Sequence, residues 1–304
     1  MVILNKGNIV FFIGILFIVN SIFFVSATTY YINNCQELQN MQLDLDGDYY
    51  LNKSIDCSDT INWYEGKGFK PVGNRTLGYE FSGTFNGNNY TISNLYINRP
   101  TENDVGMFGY ANASTISNIG LVNINFSGNK FIGGLIGNSD YSNISSSYAT
   151  GNVSAIDGVI GGLVGSASSY SNISSSYATV GVNGINFEAN SFAGGLVGDI
   201  SGFSNISNSY ATGNVNGYYK IGGLVGSVSL SNISNSSATG NVEGGSFEAS
   251  SYAGGLVGYV DSYSNISNSL ATGNVHGNNS VGGLVGSVYS SGGGPSFISN
   301  SYAT

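Results

Sequence analysis

The chain has 304 residues and a net charge of −9, with only 8% charged but 41% hydrophobic residues. Because disordered chains combine low hydrophobicity with high charge, this composition predicts a folded protein. From Phe131 to the end, Lys220 is the only Lys or Arg. The repeats therefore lack the basic stripe that binding to nucleic acid requires, and we expect no nucleic-acid partner.

The first element in chain order is an export signal. Lys6 precedes an apolar run over residues 9–25, and Val25, Ser26 and Ala27 supply the small residues that a signal peptidase reads. This pattern predicts a signal peptide over residues 1–27 and a secreted or cell-surface protein. The alternative is an uncleaved anchor, although a run of about 17 residues lies at the short edge of what spans a bilayer. We expect membrane contact only through this segment or through an anchor outside the chain.

Residues 28–105 differ from the rest and predict an N-terminal β capping region. They hold both cysteines, the only Trp and short apolar runs separated by Gly and Asn, which is the pattern of strands and turns. An even number of cysteines in an exported protein indicates a disulfide, here between Cys35 and Cys57, and two buried free thiols are the alternative. A solenoid needs such an atypical unit to cover its first coil.

A repeat fills residues 106–304. Two phrases alternate there, Gly-Gly-Leu-Val-Gly and Ser-Asn-Ile-Ser-x-Ser-x-Ala-Thr-Gly-Asn-Val, in exact or degenerate copies. This period, with short apolar stretches and no helical pattern, predicts an all-β parallel β-helix or β-solenoid with coils of about 28–33 residues. The chain stops partway through a phrase, so we expect it to be truncated at its C-terminus. The Gly before the apolar pair lies at Gly106, Gly134, Gly162, Gly195, Gly223, Gly255 and Gly283.

Two longer repeats carry the same insertion, which places Glu188 and Glu248 at equivalent positions two coils apart. Their expected separation of about 10 Å follows from the distance between neighbouring strands. Paired carboxylates at slightly shorter range hydrolyse glycosidic bonds with inversion, so this pair is the candidate site of an alternative, polysaccharide-processing enzyme. Solvated acids in surface turns are the ordinary explanation.

The sequence lacks the residues that zinc peptidases and serine hydrolases use for catalysis. His276 is the only histidine, whereas a zinc peptidase needs two in H-E-x-x-H. A Ser-His-Asp triad would also have to use His276, which lies in a Gly-Asn-Val-His-Gly turn with no nucleophile elbow. We expect no catalytic residue, no metal site and no cofactor.

Two repeat positions carry side chains of one kind. The first holds Asn in N-x-[ST] sequons, which makes these residues candidates for glycosylation or for a ladder of hydrogen-bonded amides. The second holds Tyr in most copies, which predicts aromatic packing between strands or an exposed stripe that stacks on sugar rings. The residues are Asn143, Asn172, Asn205, Asn232 and Asn265, and Tyr148, Tyr177, Tyr210 and Tyr302.

These phrases resemble the GLUG repeat family over about residues 106–304. The resemblance implies a β-helical fold and secreted or surface-displayed microbial proteins with adhesin-like roles, some of which accompany a zinc peptidase that cleaves immunoglobulin A. It implies no catalytic residue in the repeats. Our first hypothesis is therefore a non-enzymatic adhesin or structural stalk whose partners are surface glycans or extracellular proteins. Another alternative is a passive segment of a larger surface protein whose activity lies beyond Thr304.

Overall fold

The protein is an all-β parallel solenoid, as the repeat predicts. The computed structural model describes residues 27–184, 191–245, 251–290 and 293–304. Within them the strands form four sheets, and each strand pairs in parallel with the equivalent strand of the next coil. One coil passes through the four sheets in turn, numbered 1 to 4 here, and then enters sheet 1 of the next coil.

Sheets 1 and 2 are built from the Gly-Gly-Leu-Val-Gly phrase. Sheet 1 contains strands Ile132–Gly133, Val159–Gly161, Phe192–Gly194, Lys220–Gly222, Tyr252–Gly254 and Ser280–Gly282. Sheet 2 contains strands Phe108–Asn112, Ile136–Asp140, Val164–Ser168, Val197–Ile200, Val225–Val228, Val257–Val260 and Val285–Val288.

Sheets 3 and 4 are built from the second phrase and extend into residues 28–105. Sheet 3 contains strands Thr29–Ile32, Asp48–Leu51, Thr84–Asn86, Thr115–Ser117, Asn143–Ser145, Asn172–Ser174, Asn205–Ser207, Asn232–Ser234, Asn265–Ser267 and Phe297–Ser299. Sheet 4 contains strands Ile55–Asp56, Thr91–Ser93, Tyr96–Arg99, Gly120–Gly128, Tyr148–Ala155, Tyr177–Gly184, Tyr210–Ala211, Val215–Gly217, Ser237–Ala238, Val242–Gly244, Leu270–Ala271, Val275–His276 and Tyr302–Ala303.

Columns of apolar side chains fill the inside of the coil. In one coil Leu196, Val197, Ile206, Ala211 and Val215 are all buried, and they come from sheets 2, 3 and 4 and the corner before sheet 2. The four strand residues pair in register with the same residue type in the next coil, and the Leu196 N–H donates to the carbonyl oxygen of Leu224. Burying one such Ile or Leu contributes about 1.5–3 kcal/mol, so the repeated phrase supplies a continuous core.

The paired glycines of the first phrase allow two backbones to touch. A Cβ on Gly223 would lie 2.1 Å from the carbonyl oxygen of Gly255 in the next coil. A Cβ on Gly222 would lie 1.9 Å from the carbonyl oxygen of Val225, where sheet 1 folds against sheet 2. Neither glycine has a positive φ, so the need for glycine here comes from close approach and not from backbone conformation.

Two turns flank sheet 3, and both follow the same plan. In each, a residue with a left-handed φ of 47–66° directly precedes a buried serine such as Ser204 or Ser209. In two coils of the turn before sheet 3, Ser169 and Gly202 add a second left-handed residue. The Oγ of the buried serine accepts a hydrogen bond from the backbone N–H of the equivalent serine one coil earlier, as from Ser171 (3.0 Å) and Ser176 (3.2 Å). The serine columns therefore satisfy buried N–H groups where the strands break.

Residues 28–105 begin the solenoid and hold its helices. The α-helix Cys35–Asn40 is followed by the 3₁₀ helix Met41–Leu43, and a second 3₁₀ helix spans Ser58–Asn62. A disulfide joins Cys35 and Cys57, whose Cα atoms are 5.6 Å apart. Because strands from these residues pair within sheets 3 and 4, the segment is continuous with the repeats. Its role as a separate capping unit stays a prediction.

The α-helix Cys35–Asn40 was not predicted from the sequence. It has six residues, which is too short for a hydrophobic period. Its local signal is the N-cap Asn34, whose side chain accepts from the Glu37 N–H at 2.9 Å. The Glu37 carboxylate in turn accepts from the Asn33 N–H at 2.7 Å. The hydrogen bond from the Asn33 backbone is the main cause that lowers the pKa of Glu37.

Candidate functional site

The five sequon asparagines form one hydrogen-bonded column on the outer side of sheet 3. They pair in register from coil to coil. From Asn172 onward, the Nδ2 of each donates to the Oδ1 of the residue one coil earlier, at 2.9–3.1 Å. Asn172 also donates to the carbonyl oxygen of Tyr170 at 3.3 Å, whereas the bonds within the ladder leave one N–H at Asn205 and Asn232 and one acceptor lone pair at each interior amide. The column, called the amide ladder below, consists of Asn143, Asn172, Asn205, Asn232 and Asn265.

This ladder bears on glycosylation. The atom that would carry a glycan is the Nδ2 that donates within the ladder. Neighbouring coils are about 4.8 Å apart, so adjacent asparagines leave little width for glycans on every coil. Glycan occupancy of the five residues stays a prediction.

The predicted tyrosine column lies on sheet 4 and packs as a stack. Tyr148, Tyr177 and Tyr210 have ring centroids 4.7 Å apart with interplanar angles of 2° and 3°. Tyr177 and Tyr148 are only partly exposed, and Tyr210 is 40% exposed. Because the rings cover one another's faces, this column fits packing between strands better than a platform for sugars.

A second aromatic column, not predicted from the sequence, lies in the turn between sheets 2 and 3. Its aromatic members are 54–58% exposed. Ring centroids are 6.2 Å apart for Tyr141 and Tyr170 and 5.4 Å apart for Tyr170 and Phe203, which is wider than in the tyrosine stack. The rings stack at interplanar angles of 22° and 20°, but each of these residues remains more than half exposed. This column, the aromatic ridge, consists of Tyr141, Tyr170, Phe203, Leu230 and Tyr263.

Every residue of the ridge has a left-handed backbone conformation. The φ angles are 50°, 66°, 65°, 50° and 55° in chain order. Bulky side chains rarely adopt this region, and each instance costs about 1–3 kcal/mol. The strain recurs in five successive coils, although Gly or Asn would relieve it. This pattern indicates that the large side chains at these positions serve a purpose other than the stability of the fold.

A signal for the ridge was present in the sequence. Each ridge residue directly precedes the Ser-Asn-Ile-Ser phrase, as in Phe203-Ser204-Asn205. The residue type at this position varies among Tyr, Phe and Leu, so the position does not stand out as a repeated residue. Only the structure places the side chains in one line, one buried serine away from the amide ladder.

A cluster on sheets 1 and 2 surrounds Lys220. Its Nζ lies 3.8 Å from the ring centroid of Tyr259, 4.6 Å from that of Phe192 and 5.6 Å from that of Tyr219. Cation–π attraction of this kind stabilises a partly desolvated ammonium. Burial lowers the pKa of Lys220, against the opposing influence of Asp199 and Asp261. The aromatic box is therefore filled by a side chain of the chain itself.

Asp199 lies next to this cluster, on the strand that leads into the ridge at Phe203. Burial raises its pKa to about 6, although the hydroxyls of Ser227 and Ser201 and the charge of Lys220 act in the opposite direction. A shifted carboxyl beside a lysine is a feature of many active sites, but structural clusters show it too.

The other candidates from the sequence give no site. Glu188 and Glu248 lie outside the described residues, so their separation is not observed. His276 is exposed on an outer strand, in register with Glu243. In the parts of the chain that the structure describes, no three His, Cys, Asp or Glu side chains are grouped to hold a metal ion. No helix among the described residues is long and apolar enough to cross a membrane.

The sequence matches the family model of the GLUG motif at four places, residues 128–154, 189–216, 217–243 and 249–275. It is also 38% identical over 146 residues to halomucin from Haloquadratum walsbyi (strain DSM 16790 / HBSQ001). That match covers 45% of this chain but only 2% of halomucin. The chain therefore corresponds to a small part of that relative.

Two solved structures share the fold. A putative immunoglobulin A1 protease from Bacteroides ovatus superposes with a TM-score of 0.69 and 22% identity, over 91% of this chain and 84% of that chain. A structure described as an IgA1 protease gives a TM-score of 0.67 and 20% identity, over 90% of this chain and 21% of that chain. At these identities the similarity concerns the solenoid fold alone.

Proposed function

We propose that this chain, a GLUG-motif repeat protein, is an exported surface protein that presents a rigid β-solenoid for adhesin-like attachment and has no catalytic activity. The observation that carries the proposal is the aromatic ridge beside the amide ladder, repeated coil after coil at fixed register. Solenoids display long, stiff surfaces because each coil contacts only its neighbours. Attachment uses such a surface directly.

Three further observations support export and surface display. The apolar N-terminal run has the pattern of a signal peptide. The Cys35–Cys57 disulfide fits an oxidising compartment. The similarity to halomucin supports a surface repeat protein, and the role of the rest of any longer protein is outside this proposal.

Localisation in the native cells tests the first half of the proposal. The chain is expected to react with an antibody on intact cells, and its two cysteines are expected to resist thiol labelling until a reductant is added. A Leu16→Arg, Val19→Arg variant breaks the apolar run and is expected to remain inside the cell. Equal surface staining of this variant and the natural chain would contradict export through residues 1–27.

Attachment tests the second half. Cells without the protein are expected to adhere less to glycan-coated and matrix-coated surfaces, and the natural chain is expected to restore adhesion. Unchanged adhesion in the absence of the protein would exclude the adhesin-like role and leave a structural stalk.

The polysaccharide-processing alternative has its own test. If Glu188 and Glu248 act as a catalytic pair, hydrolysis of a polysaccharide by the natural chain is lost in the Glu188→Gln, Glu248→Gln variant. Hydrolysis that survives both substitutions would remove this pair from consideration, whereas its loss would replace the non-enzymatic proposal.

A further inference from the structure

We infer that the aromatic ridge and the amide ladder together bind a neutral, linear polysaccharide that lies along the solenoid axis. This inference deepens the adhesin-like role proposed above and rests on it. The ridge supplies Tyr141, Tyr170, Phe203, Leu230 and Tyr263, and the ladder supplies the asparagine two residues later in each coil.

The first observation is the backbone strain of the ridge residues. The turn on the other side of sheet 3 also holds a left-handed residue, in most coils before a buried serine, and there it is Asn or Ser in every coil from Asn118 to Asn300. Those residues tolerate this conformation because their short polar side chains bond locally. The ridge has the less favourable residue types at the equivalent place, so its side chains are there for contact with something outside the coil.

The second observation is the narrow shape of the ridge. The ridge is one residue wide, and buried serines separate it from the ladder. Protein–protein interfaces instead need a broad apolar centre, with roughly 800 Å² buried on each partner. A single file of rings at a separation of 5.4–6.2 Å fits a narrow polymer with a short repeat along its axis.

The third observation is the chemistry of the groups that the ridge and the ladder present. A sugar ring has an apolar C–H face and a rim of hydroxyls. The exposed parts of the rings suit the apolar face. The second N–H of Asn205 and Asn232 and the Oδ1 lone pair of each interior ladder amide suit the hydroxyls. Because ladder and ridge keep the same offset in every coil, one sugar unit after another would meet the same two groups.

Charge decides which polysaccharides fit. From Phe131 onward the only Lys or Arg is Lys220, whose Nζ lies against aromatic rings on sheets 1 and 2. The ridge therefore has no cation to pair with a sulfate or carboxylate, and the chain carries a net charge of −9. Anionic polysaccharides are repelled and neutral ones are not.

Affinity electrophoresis of the full chain tests the inference. The probes are three soluble neutral polysaccharides, namely a β-glucan, a xylan and a mannan, with heparin as the anionic comparison. At least one neutral polymer is expected to retard the natural chain, and heparin is not. The ridge variant carries Tyr170→Asn, Phe203→Asn and Tyr263→Asn, and its dissociation constant is expected to rise about tenfold or more.

A matched control removes as many rings from the other column. It carries Tyr148→Thr, Tyr177→Thr and Tyr210→Thr on sheet 4, where threonine suits a strand, and it is expected to bind like the natural chain. Melting curves separate contact from folding, since asparagine is compatible with the backbone of the ridge. The ridge variant is thus expected to lose binding without a fall in melting temperature.

Three results would overturn the inference. They are equal neutral-polysaccharide binding by the ridge variant and the natural chain, retardation by heparin that depends on the ridge, and no retardation by any neutral probe. If a ridge-dependent partner instead proves to be a protein, the polysaccharide inference fails while the adhesin-like role survives. The localisation and adhesion experiments fail or succeed independently of these outcomes.

Discussion

The two turns that flank sheet 3 share a left-handed residue followed by a serine, and they differ in what they present to solvent. The ridge turn has φ values of 50–66° and the other turn, called the amide turn here, has 47–55°. In both, a buried serine follows and accepts a backbone hydrogen bond from the coil before it. The amide turn carries Asn or Ser at Asn118, Ser146, Ser175, Asn208, Asn235, Asn268 and Asn300.

The comparison separates what folds the coil from what the coil displays. Asn and Ser suit a left-handed residue, so the amide turn obeys local backbone preference. Tyr and Phe in the ridge turn oppose that preference. Since both turns are stabilised by the same serine contacts, the strain in the ridge turn is balanced by the rest of the coil and not by the aromatic residue itself.

The largest effect is expected outside both turns, where neighbouring coils touch backbone to backbone between sheets 1 and 2. Gly223→Ala places a Cβ 2.1 Å from the Gly255 carbonyl oxygen, so neighbouring coils must separate and the protein should lose about 3 kcal/mol of stability or more. Gly184→Ala is the control, because the nearest atom to its Cβ would be 3.6 Å away. Denaturant titration measures both. Equal stability of the two variants would contradict the role of close backbone contact.

A smaller effect is expected at Asp199, on the strand that enters the ridge turn. Burial raises the pKa of this carboxyl from its ordinary 3.8 to about 6. The folded state therefore binds the proton more tightly than the unfolded state, and stability falls as pH rises from about 4 to 6. Asp199→Asn should raise the free energy of unfolding by about 2 kcal/mol at pH 7 and by almost nothing below pH 4.

Urea denaturation between pH 4 and pH 7 measures this difference. Asp59→Asn, at an exposed position of the first coils, is the control and should change stability little at any of these values. An Asp199→Asn variant that is less stable than the natural chain at pH 7 would mean that the charged carboxylate is stabilising, against the expected sign.

The serine columns should contribute equally at the two turns. Ser231 Oγ accepts from the Ser204 N–H at 3.2 Å, and Ser236 Oγ accepts from the Ser209 N–H at 3.3 Å. Replacing either serine by Ala leaves a buried N–H without its acceptor and should cost about 1–2 kcal/mol. Thr239→Ala, exposed on the same coil, is the control. A large difference between the two serine variants would show that the turns are not equivalent.

The smallest effect is the sharpest test of the comparison. Phe203→Asn gives the ridge turn the residue of the amide turn and should leave stability unchanged or raise it by up to about 1 kcal/mol. Asn208→Phe makes the opposite exchange in the same coil and should lower it by about 1 kcal/mol. Thermal melting of both variants compares them. If the Phe203→Asn variant is less stable than the natural chain, the ridge side chains stabilise the fold by packing.

Much of this fold was predictable because a solenoid repeats its own evidence in sequence. The period of Gly-Gly-Leu-Val-Gly predicted one coil per repeat, and the register of Ile206 with Ile233 confirms it. The Tyr148 and Asn143 positions were predicted as columns, and the structure aligns them. Identical residues at a fixed period leave little freedom in how coils align.

The ridge was not predictable in the same way. Its importance lies in the φ angles of residues such as Tyr170 and Leu230, and hydrophobic patterns carry no record of a backbone angle. The Lys220 cluster also escaped notice, since Phe192 and Tyr259 come from different strands and sheets and meet only when the coils stack. Contacts between non-identical positions of different coils have no signature in a repeat.

The enclosure of Lys220 has a consequence for digestion. A trypsin-like protease cleaves after Lys or Arg and must place that side chain in its specificity pocket. From Phe131 onward it has one such residue, which is held against aromatic rings at the start of a strand paired on both sides. In a milieu rich in these proteases, the folded coils from Phe131 onward offer only this one half-buried side chain for cleavage. Even after unfolding, this part of the chain would be cut only after Lys220 and would yield long peptides.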